Sequence, residues 1–219
     1  GGRMSEQIRS KSDDQRLVSD ARVQHLSYVL EETGETIPYA LFVPKAYDAE
    51  IQMPLVVSLH GLSRTHDWLM GYEGFLDYAD EMNFVVVTPL GYTRQGWYGS
   101  WLRGVDGRNL ELEGAYSQQD VMNVVGLVQK AYAIDPERMY LWGHSMGGAG
   151  TYHLAMEYPD MWAAAAVVAP AVPQVRSTSD LGLIQHIPML VLQGTEDRLV
   201  LSTRIWVEAM RRLNMNVQY

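Results

Sequence analysis

The sequence predicts an α/β domain: a mostly parallel sheet with helices on both faces and an antiparallel edge at its N-terminal side. Three observations carry that expectation. Short, almost wholly apolar runs recur at 55–59, 84–88, 139–142, 165–168 and 189–192, the pattern of strands buried on both faces. Segments of helical period separate them. Two further strand-like segments, 28–31 and 39–44, flank Glu31-Glu32-Thr33-Gly34 and read as a pair joined by a turn. Strands that alternate with helices of about 10–15 residues imply parallel crossovers, and so a sheet covered on both sides.

Taken in order, Gly1-Gly2-Arg3 ahead of Met4 reads as a cloning remnant, and 5–20 as a polar, solvated arm or first helix. After the hairpin and the runs at 55–59 and 84–88, the stretch 92–116 has no period. It is rich in glycine and carries Trp97, Tyr98 and Trp101. Irregular stretches longer than about 15 residues inside a domain are functional or disordered, and two tryptophans argue against disorder. The stretch follows a strand, at the end of the sheet where such folds bind ligands, so Trp97 and Trp101 are candidate substrate-binding residues. Ser117, with Asp120 three residues on, reads as the cap of a helix whose buried face is Val121, Val124, Val125, Val128 and Tyr132. Trp206, Ala209, Met210 and Leu213 mark the last helix, and 217–219 a last strand.

Composition excludes several functions. Seventeen basic against 26 acidic residues leave −9, which disfavours nucleic acid and anionic membranes as partners. No apolar run reaches about 18 residues, so nothing in the sequence spans a bilayer as a helix. The chain has no cysteine, hence no disulfide, thiolate metal site or cysteine nucleophile. No two histidines stand at i, i+4 with a glutamate between, which disfavours metal catalysis.

Gly143-His144-Ser145-Met146-Gly147 fits G-x-S-x-G, with an apolar strand running into it and Gly148-Ala149-Gly150 opening a helix behind it. Such a strand–turn–helix lifts a serine hydroxyl above the sheet at a helix N-terminus, where the dipole favours a developing anion. Ser145 is therefore the expected nucleophile. An oxyanion hole needs two backbone N–H donors, one from the residue after the nucleophile and one from an early strand–helix loop. Met146 and Leu62 are the candidates, with Gly61 letting the loop turn inward. His60 reads as a structural residue that holds this loop by hydrogen bonds. After the strand at 189–192, Asp197 rather than Glu196 is the expected acid that orients an imidazole; the competing reading is a turn acid at the start of the last helix.

His60-Gly61, Gly143–Gly150, Tyr158-Pro159 and Gly194-Thr195-Glu196-Asp197 together resemble the α/β-hydrolase superfamily over residues 35–219. The run from Asp120-Val121 through Ile134-Asp135-Pro136-Glu137-Arg138 to the serine motif resembles the branch of polyhydroxybutyrate-depolymerase-like esterases, feruloyl esterases and predicted peptidases. The resemblance implies hydrolysis of small carboxylic esters, with short-chain or aromatic acyl groups, through an acyl-serine and with no cofactor or metal. It favours a secreted or periplasmic setting over a cytoplasmic one. It also implies a catalytic histidine in a loop after the last strand, roughly 30 residues beyond the acid, and so beyond residue 219. The expected organisation is thus a polar arm over 1–24 and a hydrolase domain over 25–219 that is C-terminally incomplete, lacking its histidine loop. Among the six histidines, His25, His60, His66, His144, His153 and His186, only His66 stands in a loop near the expected mouth as a replacement base. Two rival functions are a peptidase of the prolyl-oligopeptidase type, which needs a large extra domain, and a non-catalytic or inactive hydrolase fragment.

Overall fold

Eight strands form one sheet in the computed structural model, which describes residues 16–219. The expected cloning remnant and most of the arm fall in 1–15, outside the described residues. β1 (Gln24–Leu30) and β2 (Glu35–Phe42) are antiparallel, and the Gly34 N–H closes their turn on the Leu30 carbonyl at 2.8 Å. β2 also runs antiparallel to β4 (Val85–Pro89). From there β4, β3 (Met53–Leu59), β5 (Ile134–His144), β6 (Ala164–Val168), β7 (Met189–Leu192) and β8 (Val217–Gln218) are parallel. The order across the sheet is β1-β2-β4-β3-β5-β6-β7-β8. The central strands are apolar without alternation because both of their faces are covered.

Helices lie on both faces, as expected, but unevenly. α2 (Glu111–Ala131), α3 (Met146–Glu157) and α4 (Val200–Arg212) share one core, where Val121, Val125, Tyr152, Trp206 and Met210 pack with Leu55, Val57 and Val87. α1 (Phe75–Met82) covers the other face, setting Leu76 and Ala79 against Phe42 and Val86. On that second face Leu190 and Leu192 of β7 remain 39% and 52% exposed. No helix among the described residues is long and apolar enough to cross a membrane.

β1, β2 and β5 begin four or five residues earlier than the sequence reading, and the start of α2 departs from it further. Ser117 does not cap α2, which starts six residues earlier, where the Asn109 side chain accepts the Glu111 N–H at 2.8 Å. Ser117 is buried inside the helix and its hydroxyl accepts the Tyr98 N–H at 2.9 Å. Asp120, also buried, accepts the N–H groups of Gly91 and Tyr92 at 2.9 and 2.7 Å and the phenol of Tyr28. Burial raises its pKa against the pull of those three donors. Two polar residues thus lie on the buried face of α2 because they bind the irregular segment before it. A helical period cannot show this.

Two buried histidines stay neutral. His153 of α3 donates from Nε2 to Gln118 Oε1 at 2.7 Å and accepts from Arg176 Nε at 3.4 Å. Burial first, then the Arg176 charge, lowers its pKa to about 4. Burial also lowers His66 to about 4, against the opposing charge of Asp67.

Two predictions follow from this packing. A methyl on Gly147, in the first turn of α3, would lie 2.0 Å from the Leu59 carbonyl oxygen, where only backbone movement could relieve it. Gly147→Ala should lose about 3 kcal/mol or more of stability in urea unfolding. At Gly126, in α2, a methyl meets nothing within 4 Å, so Gly126→Ala should gain about 0.5–1 kcal/mol. The second prediction concerns acid. Unfolded histidines titrate near about 6.5. Between that pH and about 4 the unfolded chain therefore binds protons that folded His66 and His153 exclude. Stability from these residues is present above the window and lost as pH falls through it. Tm should be lower at pH 5 than at pH 7.5, and the drop should be smaller in His153→Gln. An equal drop in that variant would remove His153 from the account.

Candidate active site

Ser145 stands on the turn between β5 and α3 with φ 56° and ψ −111°, a region that costs a residue about 1–3 kcal/mol. Four backbone hydrogen bonds hold it there. Its N–H donates to Val168 at 3.0 Å, and its carbonyl accepts from Gly148, Ala149 and Ala171 at 2.9, 3.2 and 3.0 Å. The turn closes because its flanks have no side chain: a Cβ on Gly143 would lie 2.0 Å from the Gly147 carbonyl oxygen. Met146 opens α3, so its N–H has no partner one turn back.

The loop after β3 passes over this turn. A Cβ on Gly61 would lie 3.7 Å from the Ser145 Cβ and 3.4 Å from His144 Nδ1. The Gly61 carbonyl accepts the Arg64 N–H at 3.1 Å and lies 2.8 Å from His60 Nδ1, while His60 Nε2 lies 2.6 Å from the Leu90 carbonyl. The His60 ring is fully buried. Burial lowers its pKa more than the two carbonyls raise it, and the ring bridges the loop and the end of β4.

Asp197 follows β7 and is half-buried, whereas Glu196 is exposed. Its Oδ1 accepts the Leu199 N–H at 2.8 Å at the entry to α4, so the turn role foreseen for it is present. Its charge also reaches the serine turn. His144, lowered first by burial and then by Arg64, is pulled the other way by Asp197. Ser145, the 60–62 loop and Asp197 all stand at the carboxyl edge of parallel strands β5, β3 and β7.

Trp97 and Trp101 stack with ring centres 3.6 Å apart and 5° between planes. Trp97 is 4% exposed, and Trp101 donates Nε1–H to the Val172 carbonyl at 2.9 Å. Trp97 lines a cavity of about 180 Å³ together with Leu62, Ser63, Gln95, Val105 and Arg108. Tyr98, given no site role by the sequence reading, is fully buried and donates its O–H to the His60 carbonyl at 2.9 Å. Trp97 and Tyr98 both adopt positive φ, 59° and 56°, a conformation with no signal in their side-chain types.

No histidine hydrogen-bonds to Ser145 or Asp197 among the described residues. His25 meets the edge of His66, His66 is buried beside Asp67, and His186 Nε2 lies 2.8 Å from the Pro159 carbonyl. His60 and His153 are committed as described, and His144 Nδ1 is buried with no partner.

Comparison with known proteins places this geometry. The bifunctional acetylxylan esterase/xylanase of Neocallimastix patriciarum is 31% identical over 144 residues, covering 66% of this chain and 19% of that protein. S-formylglutathione hydrolase of Bos taurus is 26% identical over 144 residues, covering 60% of this chain and 51% of that one. The chain thus spans well under two thirds of these relatives. A ferulic acid esterase of Anaeromyces mucronatus, solved with ferulic acid, superposes with TM-score 0.73 at 18% identity over 94% of this chain and 85% of that one, which shows a shared fold. The Esterase family model matches residues 31–211, from the hairpin turn into α4, and the chain belongs to that family.

Proposed function

We propose that this chain hydrolyses carboxylic esters through an acyl-serine on Ser145. The observation that carries the reading is the serine's backbone: a non-glycine residue held at φ 56° between a buried strand and a helix N-terminus. In this reading Ser145 Oγ attacks the ester carbonyl carbon and its proton passes to an imidazole. The N–H groups of Leu62 and Met146 receive the oxyanion. The tetrahedral intermediate collapses as the imidazolium returns its proton to the leaving oxygen, the neutral alcohol departs, and water then attacks the acyl-serine by the same proton transfers. Asp197 orients the imidazole and stabilises its charged form. The base is a histidine outside these 219 residues, since each of the six present is engaged elsewhere or lacks a bond to Ser145 and Asp197.

The substrates proposed are small esters with short-chain or aromatic acyl groups. The cavity beside Leu62 supports this, being walled by the Trp97 ring and Val105 with polar Ser63, Gln95 and Arg108 around them. The names of the relatives, acetylxylan and ferulic acid esterases, fall in the same two classes.

Ser145→Ala in the complete protein should abolish hydrolysis of p-nitrophenyl esters with the fold intact; wild-type turnover by that variant would overturn the reading. The 219-residue chain by itself should retain only about 10³–10⁴-fold catalysis over water, the residue left when one triad member is missing. Trp97→Ala should raise KM for an aromatic acyl ester about 10-fold, a loss of about 1.4 kcal/mol, and leave KM for an acetyl ester nearly unchanged. Equal changes for both esters would place the aryl group elsewhere.

A further inference from the structure

We infer that Tyr98 is a positioning residue for the oxyanion loop, a role that rests on the ester-hydrolysis reading above. Its phenol donates to the His60 carbonyl at 2.9 Å. A peptide unit is planar, so fixing that carbonyl also fixes the Gly61 N–H on the other side of the bond and the direction in which the loop leaves β3. The next peptide is held from the same residue. The Gly61 carbonyl meets the His60 ring at 2.8 Å and the Arg64 N–H at 3.1 Å, so the Leu62 N–H points the opposite way. That N–H has no acceptor among the described residues, as an oxyanion donor requires.

Tyr98 is itself held from several sides. Its ring is fully buried and wedges against Gly150 of α3, where a Cβ would lie 2.4 Å from Cδ2, and against Gly91, where a Cβ would lie 2.7 Å from Cε1. Its N–H is bound by Ser117 of α2 at 2.9 Å, and its ring meets the edge of the His60 imidazole at 5.7 Å. Its backbone is left-handed at φ 56°. One residue, through its ring, phenol and backbone N–H, therefore connects the nucleophile's helix, the oxyanion loop and α2. A phenylalanine would fill the same space, so packing alone does not call for the hydroxyl; its hydrogen bond to the loop carbonyl does.

The test is Tyr98→Phe in the complete protein, compared with Tyr152→Phe. Tyr152 is an equally buried phenol with no hydrogen-bond partner, so its variant removes the same atom without touching the loop. Removing an oxyanion donor outright lowers kcat by about 10²–10³-fold, and misaiming one should lower it by about 10-fold. The expected result for Tyr98→Phe is that 10-fold fall with KM unchanged, against unchanged kcat in Tyr152→Phe. Wild-type kcat in Tyr98→Phe beside an inactive Ser145→Ala overturns the inference and leaves the esterase reading standing. An equal loss of kcat in Tyr152→Phe also overturns it, since the effect would then follow any buried phenol. Retained activity in Ser145→Ala defeats the underlying reading instead. Should Tyr98→Phe not fold, a crystal structure of the protein phosphonylated on Ser145 decides. The inference expects the phosphoryl oxygen on the Leu62 N–H with the Tyr98–His60 bond intact, and a broken bond overturns it.

Discussion

The approach of α3 to the strands beneath it, at Gly147 against the Leu59 carbonyl, is the constraint on which the site depends. With 2.0 Å between that oxygen and the nearest possible Cβ, the helix starts directly over the exit of β3. The chain leaving β5 must then reverse within one residue, which places Ser145 at φ 56° and ψ −111°. The strain of about 1–3 kcal/mol is sustained by the Val168, Gly148, Ala149 and Ala171 bonds, each worth about 0.5–1.5 kcal/mol net. The same approach brings the 60–62 loop so near Ser145 that a Cβ on Gly61 would lie 3.7 Å from the serine Cβ. Hydroxyl and loop are thus set by one packing contact between two glycine-flanked backbones.

A second constraint acts from α2. The segment between β4 and α2 is irregular, yet its anchoring groups are buried, so its backbone polar groups need partners inside the protein. Asp120 and Ser117 supply them, binding Gly91, Tyr92 and Tyr98. Bonds to a charged acceptor are worth about 1.5–3 kcal/mol each, more than neutral ones. This holds Trp97 beside Leu62 and presents Tyr98 to His60. Beyond it, Trp101 binds Val172 while Gln174 accepts the N–H groups of Leu102 and Arg103 at 2.9 and 3.1 Å, which ties the segment to the loop after β6. The wall of the cavity and the edge of the 60–62 loop therefore belong to one polar network.

The two faces of the sheet are unequal partners in this. α2, α3 and α4 pack on one face, and each either carries or braces a site element: the Tyr98 anchor, the serine turn, the Asp197 turn. α1 on the other face packs with the antiparallel edge and, through Phe75, with Trp142 of β5. The candidate site is thus built from the loops above the strands and the three helices of a single layer.

Sequence alone determined what depends on local pattern. The strands at 55–59 and 84–88 are legible because burial on both faces demands unbroken apolar runs, that at 189–192 because it too is an apolar run although Leu190 and Leu192 on one face stay exposed, and the hairpin because its turn residues stand between two strand segments. The serine motif is legible because strand, tiny flanks and helix are adjacent in the chain. His60 and the 60–62 loop directly follow β3 and Asp197 stands five residues after β7, so their common edge is legible because a parallel sheet gathers those strand ends. Tertiary structure decided what depends on partners distant in the chain. Ser117 looked like a cap because a helical period cannot say that a polar residue on the buried face answers a backbone N–H nineteen positions away. Tyr98 looked like one aromatic among several, since neither its positive φ nor its bond to a carbonyl 38 residues earlier is written in its side chain. Local sequence sets which groups are available, and only the folded chain sets which backbone groups are left inside needing them.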